Sequence, residues 1–254
     1  MEWTLGQSIE LKFKLGYSLH VLNFTNYAIK IYENLTEELS NLYQQNPEEW
    51  VGDYTKILNN LALAYKDLNQ HDRALQLFEK ALEIREGLYQ QNPQRWAGDY
   101  AKTLNNLAIA YIDLNQHDRA LQLYEKALGI VESLYQKNPE RWAKQHEAVL
   151  IALFFTYSIL GQHEKALEYQ EKHLTAVKTK YQKNQKRWAN DYANIIKTYT
   201  TAFIELDNIE KARSLFLDLT SVVKETQLDQ EDPQWSKILS DIHSALFEDP
   251  SISP

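Results

Sequence analysis

The sequence predicts an all-α fold: a right-handed α-α superhelical solenoid of five helical hairpins, closed by a C-terminal capping helix. Three observations carry that expectation. Trp3, Trp50, Trp96, Trp142, Trp188 and Trp235 stand 47, 46, 46, 46 and 47 residues apart. Residues 50–95 and 96–141 share 35 identities over 46 positions, and self-similarity at such a period is the mark of a stacked array. Within each period the apolar residues recur at helical spacing, with no alternating strand pattern.

The elements follow from that frame in chain order. Leu58, Leu61, Ala62, Tyr65 and Leu68 share one 3.6-period face, so a first helix runs to Asn69. Asn tolerates the left-handed conformation that ends a helix, and Gly161 takes the same place later in the chain. A second helix carries Ala74, Leu75, Phe78, Ala81, Leu82 and Leu88 and ends near Asn92-Pro93. There Asn can cap, and Pro can open the next helix. Repetition of this unit predicts hairpins near 6–45, 49–91, 95–137, 141–183 and 187–226. An acidic loop then leads to a cap helix at 234–247, which would cover the last stacking face. Residues 1–247 read as one solenoid and 248–254 as a frayed tail.

Composition narrows the function classes. The 254 residues are 44% hydrophobic and 24% charged, with only 7 Gly and 6 Pro, an ordinary balance for a packed domain. A net charge of −8 opposes general affinity for nucleic acid or anionic membranes. The absence of Cys removes disulfides and thiolate chemistry. No secretory signal is visible, and the longest uncharged apolar run, Ala148 to Leu160, is 13 residues, too short to span a bilayer. A cytoplasmic protein without membrane contact is the expectation.

The pattern Leu58-x2-Leu61-Ala62-x2-Tyr65 followed by Ala74-x3-Phe78-x2-Ala81 resembles the tetratricopeptide signature, and Leu104 to Ala127 repeats it. The small residues let helices approach, while Tyr65 and Phe78 fill the space between them. Each unit is longer than the usual one of about 34 residues. The added length falls in the Tyr-Gln-x-Asn-Pro-x-Arg-Trp segment, where Trp and Tyr are expected to build a second aromatic layer. Ala101 to Ala108 and Lys80 to Glu86 look like the repeats of kinesin light chain and its bacterial relatives. The resemblance implies a non-catalytic scaffold for protein–protein interaction. It also raises a regulatory or sensor subunit of an associated peptidase or nucleotide hydrolase.

No constellation for chemistry emerges. His71, His117 and His163 keep the 46-residue beat, so stacking separates them by a repeat each. Leu167 stands where a zinc-protease helix would need its second His. There is no phosphate-binding glycine loop and no nucleophile elbow. No catalytic residue, metal site or cofactor is assigned.

Partner contact is expected on the free face of the first helices. Helical phase puts Asn59, Asn60, Leu63, Asn105, Asn106, Ile109 and Ile112 there, and paired amides can hold a peptide backbone. Asn59 and Asn105 lean toward a partner, whereas Asn60 and Asn106 lie nearer the core. The unit at 141–183 departs from the pattern: Ile151 and Ala152 replace the Asn pair, and Phe155 and Ile159 complete an apolar face. Ile151, Phe155 and Ile159 are expected to meet a partner's peptide or helix, or a second copy of the chain. From Lys172 to Asn190 there are six basic residues and no acid. Lys178, Lys180, Lys183, Lys186 and Arg187 could meet an acidic segment, a phosphate or, as a third reading, nucleic acid.

Overall fold

A computed structural model describes residues 4–248, and these are almost wholly helical, with no strand among them. Trp3 and the tail expected beyond 248 fall outside the described residues, apart from Glu248. Ten long helices follow one another along the chain: α1 (Leu5–Val21) pairs with α2 (Thr25–Gln45), α3 (Pro47–Asp67) with α4 (His71–Gln91), and α5 (Pro93–Asp113) with α6 (His117–Lys137). Then come α7 (Pro139–Ile159), α8 (His163–Lys183), α9 (Gln185–Glu205) and α10 (Ile209–Thr226). A short α11 (Leu228–Glu231) and a final α12 (Gln234–Phe247) follow. Two compact units divide the chain, Met1–Thr156 and Tyr157–Pro254, and the division falls inside α7.

The turns inside the hairpins share one device. Asn23, Asn69, Asn115, Gly161 and Asp207 all take positive φ, between 55° and 69°. At the second of these the Asn69 amide donates to Lys66 O at 2.8 Å and the Gln70 amide to Tyr65 O at 2.9 Å. That pair of bonds satisfies the last carbonyls of α3 and reverses the chain. Between hairpins, Pro47, Pro93 and Pro139 each open a helix, where a missing N–H costs nothing.

In the first unit, α2 meets both α1 and α3, and α4 meets both α3 and α5. The core repeats with the sequence: Tyr32, Phe78 and Tyr124 are buried at equivalent positions beside Ala28, Ala74 and Ala120. The added length of each unit does build an aromatic layer, but tyrosines carry most of it. Tyr43 stacks on Tyr54 at 5.1 Å between ring centres, Tyr89 on Tyr100 at 5.0 Å, and Tyr135 on His146 at 4.4 Å. Trp96 and Trp142 are half-buried, each under an arginine: Arg95 over Trp96 at 4.8 Å and Arg141 over Trp142 at 4.9 Å.

The second unit keeps the theme, with Tyr181 on Tyr192 at 4.9 Å. There α12 packs on α10 and α9, its buried Trp235 directing Nε1 to Asn190 Oδ1 at 3.3 Å. Arg213 donates from Nε and Nη2 to Leu246 O at 3.2 and 2.8 Å, tying down the end of α12. Among the described residues no helix is long and apolar enough to cross a membrane.

Candidate binding cleft

The first helices of the first unit place a row of side chains at the same register in successive repeats: Tyr17, Leu63, Ile109 and Phe155, each 46 residues from the next. Leu63 and Ile109 are half-buried, whereas Tyr17 and Phe155 are exposed. Beside this row, α3, α4 and α5 enclose a cleft of about 200 Å³ lined by Gly52, Lys56, Asn59, Asn60, Leu63, Lys102 and Asn106, with Arg85 and Asp99 among its walls.

The amides divide into two kinds. Asn59 and Asn106 are buried and bonded across the hairpin junction. Asn59 donates Nδ2 to Thr55 O at 2.9 Å and to Thr103 Oγ1 at 3.4 Å, and its Oδ1 accepts from Asn106 Nδ2 at 3.4 Å. Much of their hydrogen-bonding capacity is therefore spent inside the array. Asn60 and Asn105 are the half-buried pair. Helical phase leaned Asn59 toward a partner and Asn60 toward the core, whereas Asn59 is the more deeply buried of the two. Asn59 turns inward because Thr103 and Asn106 of the next first helix bond it, whereas in the equivalent pair Asn106 is buried and Asn105 half-buried, as the phase predicts.

Arg85 is the residue that sequence reasoning missed. It lies on α4 with 5% of its surface exposed. Nη1 donates to Asp99 O at 2.8 Å and Thr103 Oγ1 at 2.7 Å, yet buried Nε has no hydrogen-bond partner. Among the described residues no carboxylate lies within ion-pair distance of the guanidinium. Burial holds its pKa below the usual arginine value, and the nearby Asp99 carboxylate offsets that only in part. The equivalent positions of the other second helices hold Leu39, Val131, Val177 and Val223, all buried aliphatic side chains. A cation has thus replaced a core aliphatic at one place in the array, beside exposed Lys56 and Lys102. That substitution was visible in the sequence as one of the positions at which adjacent repeats differ.

A larger cleft of about 650 Å³ opens elsewhere in this unit, lined by Tyr43, Val51, Tyr54, Lys80 and Gly87 among others. Its floor is the tyrosine stack, and Lys80 covers the Tyr54 ring at 5.3 Å. No buried charge without a partner faces it, so the chemistry favours the smaller cleft.

The remaining candidates lie as follows. Ile112 and Ile151 are half-buried, and Phe155 and Ile159 are 37% and 57% exposed on α7. Lys178, Lys183, Lys186 and Arg187 are exposed. Lys180 and Arg187 lie over the Trp188 ring at 5.3 and 5.0 Å, so part of the basic segment is engaged by its own indole. His71, His117 and His163 each open a second helix, and no metal-holding group of side chains occurs among the described residues.

Residues 53–133 match the tetratricopeptide repeat family. No curated protein sequence matches the chain. Among solved structures, a putative kinesin light chain of Podosopora anserina with nearly identical TPR-like repeats is 18% identical. Its alignment covers 89% of this chain and 99% of that one, with a TM-score of 0.68. BtubC (BKLC) from P. vanneervenii is also 18% identical over 88% of this chain and 85% of its own, with a TM-score of 0.63. The Rap conjugation gene regulator of plasmid pLS20, in complex with the Phr* peptide, is 15% identical over 96% of this chain and 60% of that protein, at a TM-score of 0.58. At such identities the likeness is one of fold.

Proposed function

We propose that this chain, whose residues 53–133 match the tetratricopeptide repeat family, is a non-catalytic scaffold holding an extended segment of another protein along its first unit. The partner lies across the first helices, its apolar side chains on the row Tyr17, Leu63, Ile109 and Phe155. Asn60 and Asn105 bond its backbone, and an acidic side chain or C-terminal carboxylate enters the cleft above Arg85. The peptide-bound Rap neighbour supports a peptide as the occupant of such a fold.

The observation that carries this reading is Arg85. Burying a cation whose nearest carboxylate, Asp99, makes no ion pair with it is costly, and four equivalent positions show that the fold is content with an aliphatic residue. A partner's carboxylate would supply the missing charge, and Lys56 and Lys102 at the rim would draw it in.

The test uses Arg85→Leu, which installs the repeat's own solution at Leu39. Fluorescence anisotropy would compare pooled acidic peptides with their amide counterparts, in which Asn and Gln replace Asp and Glu. The wild type is expected to prefer the acidic pool, and the variant to lose about tenfold or more of that affinity, the worth of one charge-assisted hydrogen bond. Helicity should stay unchanged. Equal binding of both pools, or an unaltered variant, would contradict the proposal.

A further inference from the structure

We infer that α1 is a self-association surface, pairing antiparallel with the α1 of a second copy about a two-fold axis at Leu15. Of the twelve large apolar residues exposed in the described chain, eight fall between Leu5 and Tyr27. Such crowding marks an interaction surface, since scattered single residues are the ordinary case.

The repeat tells what kind of surface it is. Counting back 46 residues, Leu11 and Leu15 occupy the positions of Ile57 and Leu61, and Ser8 and Ser18 those of Tyr54 and Ala64. In α3 all four of these are buried, with α2 packed against that helix, whereas the described contacts of α1 are with α2 and, to a small extent, α3. Leu11 and Leu15 therefore stand 52% and 50% exposed, and Leu22, at the C-cap, 64%.

The sequence along this stripe selects a second copy. Ser8, Leu11, Leu15, Ser18 and Leu22 are spaced 3, 4, 3 and 4, the seam of two helices packed together. The seam is complementary in size about Leu15. Running antiparallel, Leu15 meets Leu15, each Leu11 meets a Ser18, and each Leu22 meets a Ser8, so large side chains face small ones. A two-fold interface requires this self-complementarity.

No charge on the seam calls for a different partner, because every charged group of α1 is already engaged. Lys12 meets Glu38 at 2.5 Å, Lys14 meets Glu10 at 2.7 Å and His20 meets Asp67 at 2.7 Å. The antiparallel arrangement also brings Phe24 and Tyr27, at one end of α1, toward the partner's Leu5. Leu5, Leu11, Leu15, Leu22, Phe24 and Tyr27, each about half exposed or more, supply the apolar side chains of the pairing.

Sedimentation of the full chain over a range of concentrations, with single-cysteine cross-linking in this cysteine-free protein, tests the inference. A dimer is expected for the wild type, and a monomer of unchanged circular dichroism for Leu15→Glu, which sets two carboxylates against each other on the axis. Leu15→Cys should cross-link to itself on oxidation. Leu22→Cys should not, since antiparallel pairing holds its two copies about 20 Å apart, beyond the roughly 7 Å limit for a disulfide. A wild type that is monomeric throughout, a dimer that survives Leu15→Glu, or self-cross-linking at 22 with none at 15 would overturn it. So would a dimer lost in Phe155→Asp and kept in Leu15→Glu, which would move the interface to α7. The cross-linking pattern decides the question even where Leu15→Glu does not fold. Arg85→Leu leaves this surface intact, so the two proposals fail separately.

Discussion

Individual residues show where the repeat has been adjusted and what each adjustment costs. A Cβ at Gly98 would collide with the tip of the Trp142 indole, whereas the same atom at Gly52, one repeat earlier, would meet Trp96 at 4.0 Å, an ordinary contact. Gly98→Ala is therefore expected to lower stability by about 1–3 kcal/mol, because a packed ring must move. Gly52→Ala should cost far less. Urea unfolding, with the Trp142 environment followed by near-ultraviolet dichroism, distinguishes the two. Arg85 is the opposite kind of adjustment, a charge kept where the array prefers an aliphatic side chain. It was not legible from periodicity because its position faces inward, and the inward phase alone predicts a core residue. Only comparison with Leu39, Val131, Val177 and Val223 shows it to be out of place. Asn59 and Asn60 failed to separate for a simpler reason: neighbouring residues on a helix differ by one step of phase, and no sequence signal fixes which of two asparagines turns inward.

Elements were legible wherever local chemistry repeats. The hairpin turns could be read from Asn69 and Gly161 because few residues accept a left-handed backbone, and both do adopt positive φ. The equivalent Asn115 has φ of 56°. Asn115→Ala is expected to cost about 1–2 kcal/mol, and Asn115→Gly to be neutral or stabilising. The interior of α6 supplies a contrast. Gly129 is exposed there, and a Cβ would meet nothing within 4 Å. Gly129→Ala should raise stability by about 0.5–1 kcal/mol through lost backbone freedom in the unfolded chain. Thermal unfolding of the three variants checks both signs. The exposed seam of α1 was not legible, because its leucines stand at positions that are core in every later repeat. Only the absence of a described helix on that side reveals them as surface.

At the scale of the whole molecule, stability rests on aromatic burial shared across the array. Burial pushes the Tyr32 phenol in the first unit up to about 12, and Tyr192 in the second likewise to about 12, with nearby acidic groups adding to the shift at Tyr192. An unfolded tyrosine ionises near pH 10. Since the folded values are raised, the protein is at full strength below about pH 10 and loses stability as pH climbs toward about 12. Urea midpoints measured across that window should fall; a flat profile would show that these phenols are not held as described. Beyond this scaffold, the functional claim depends on one place where the array breaks its own rule. Thermal unfolding of wild type and Arg85→Leu, each with and without one acidic peptide selected for binding to the wild type, tests it most directly. The account predicts that the peptide raises the wild-type melting temperature and leaves the variant's unmoved. An equal rise in both proteins would contradict it.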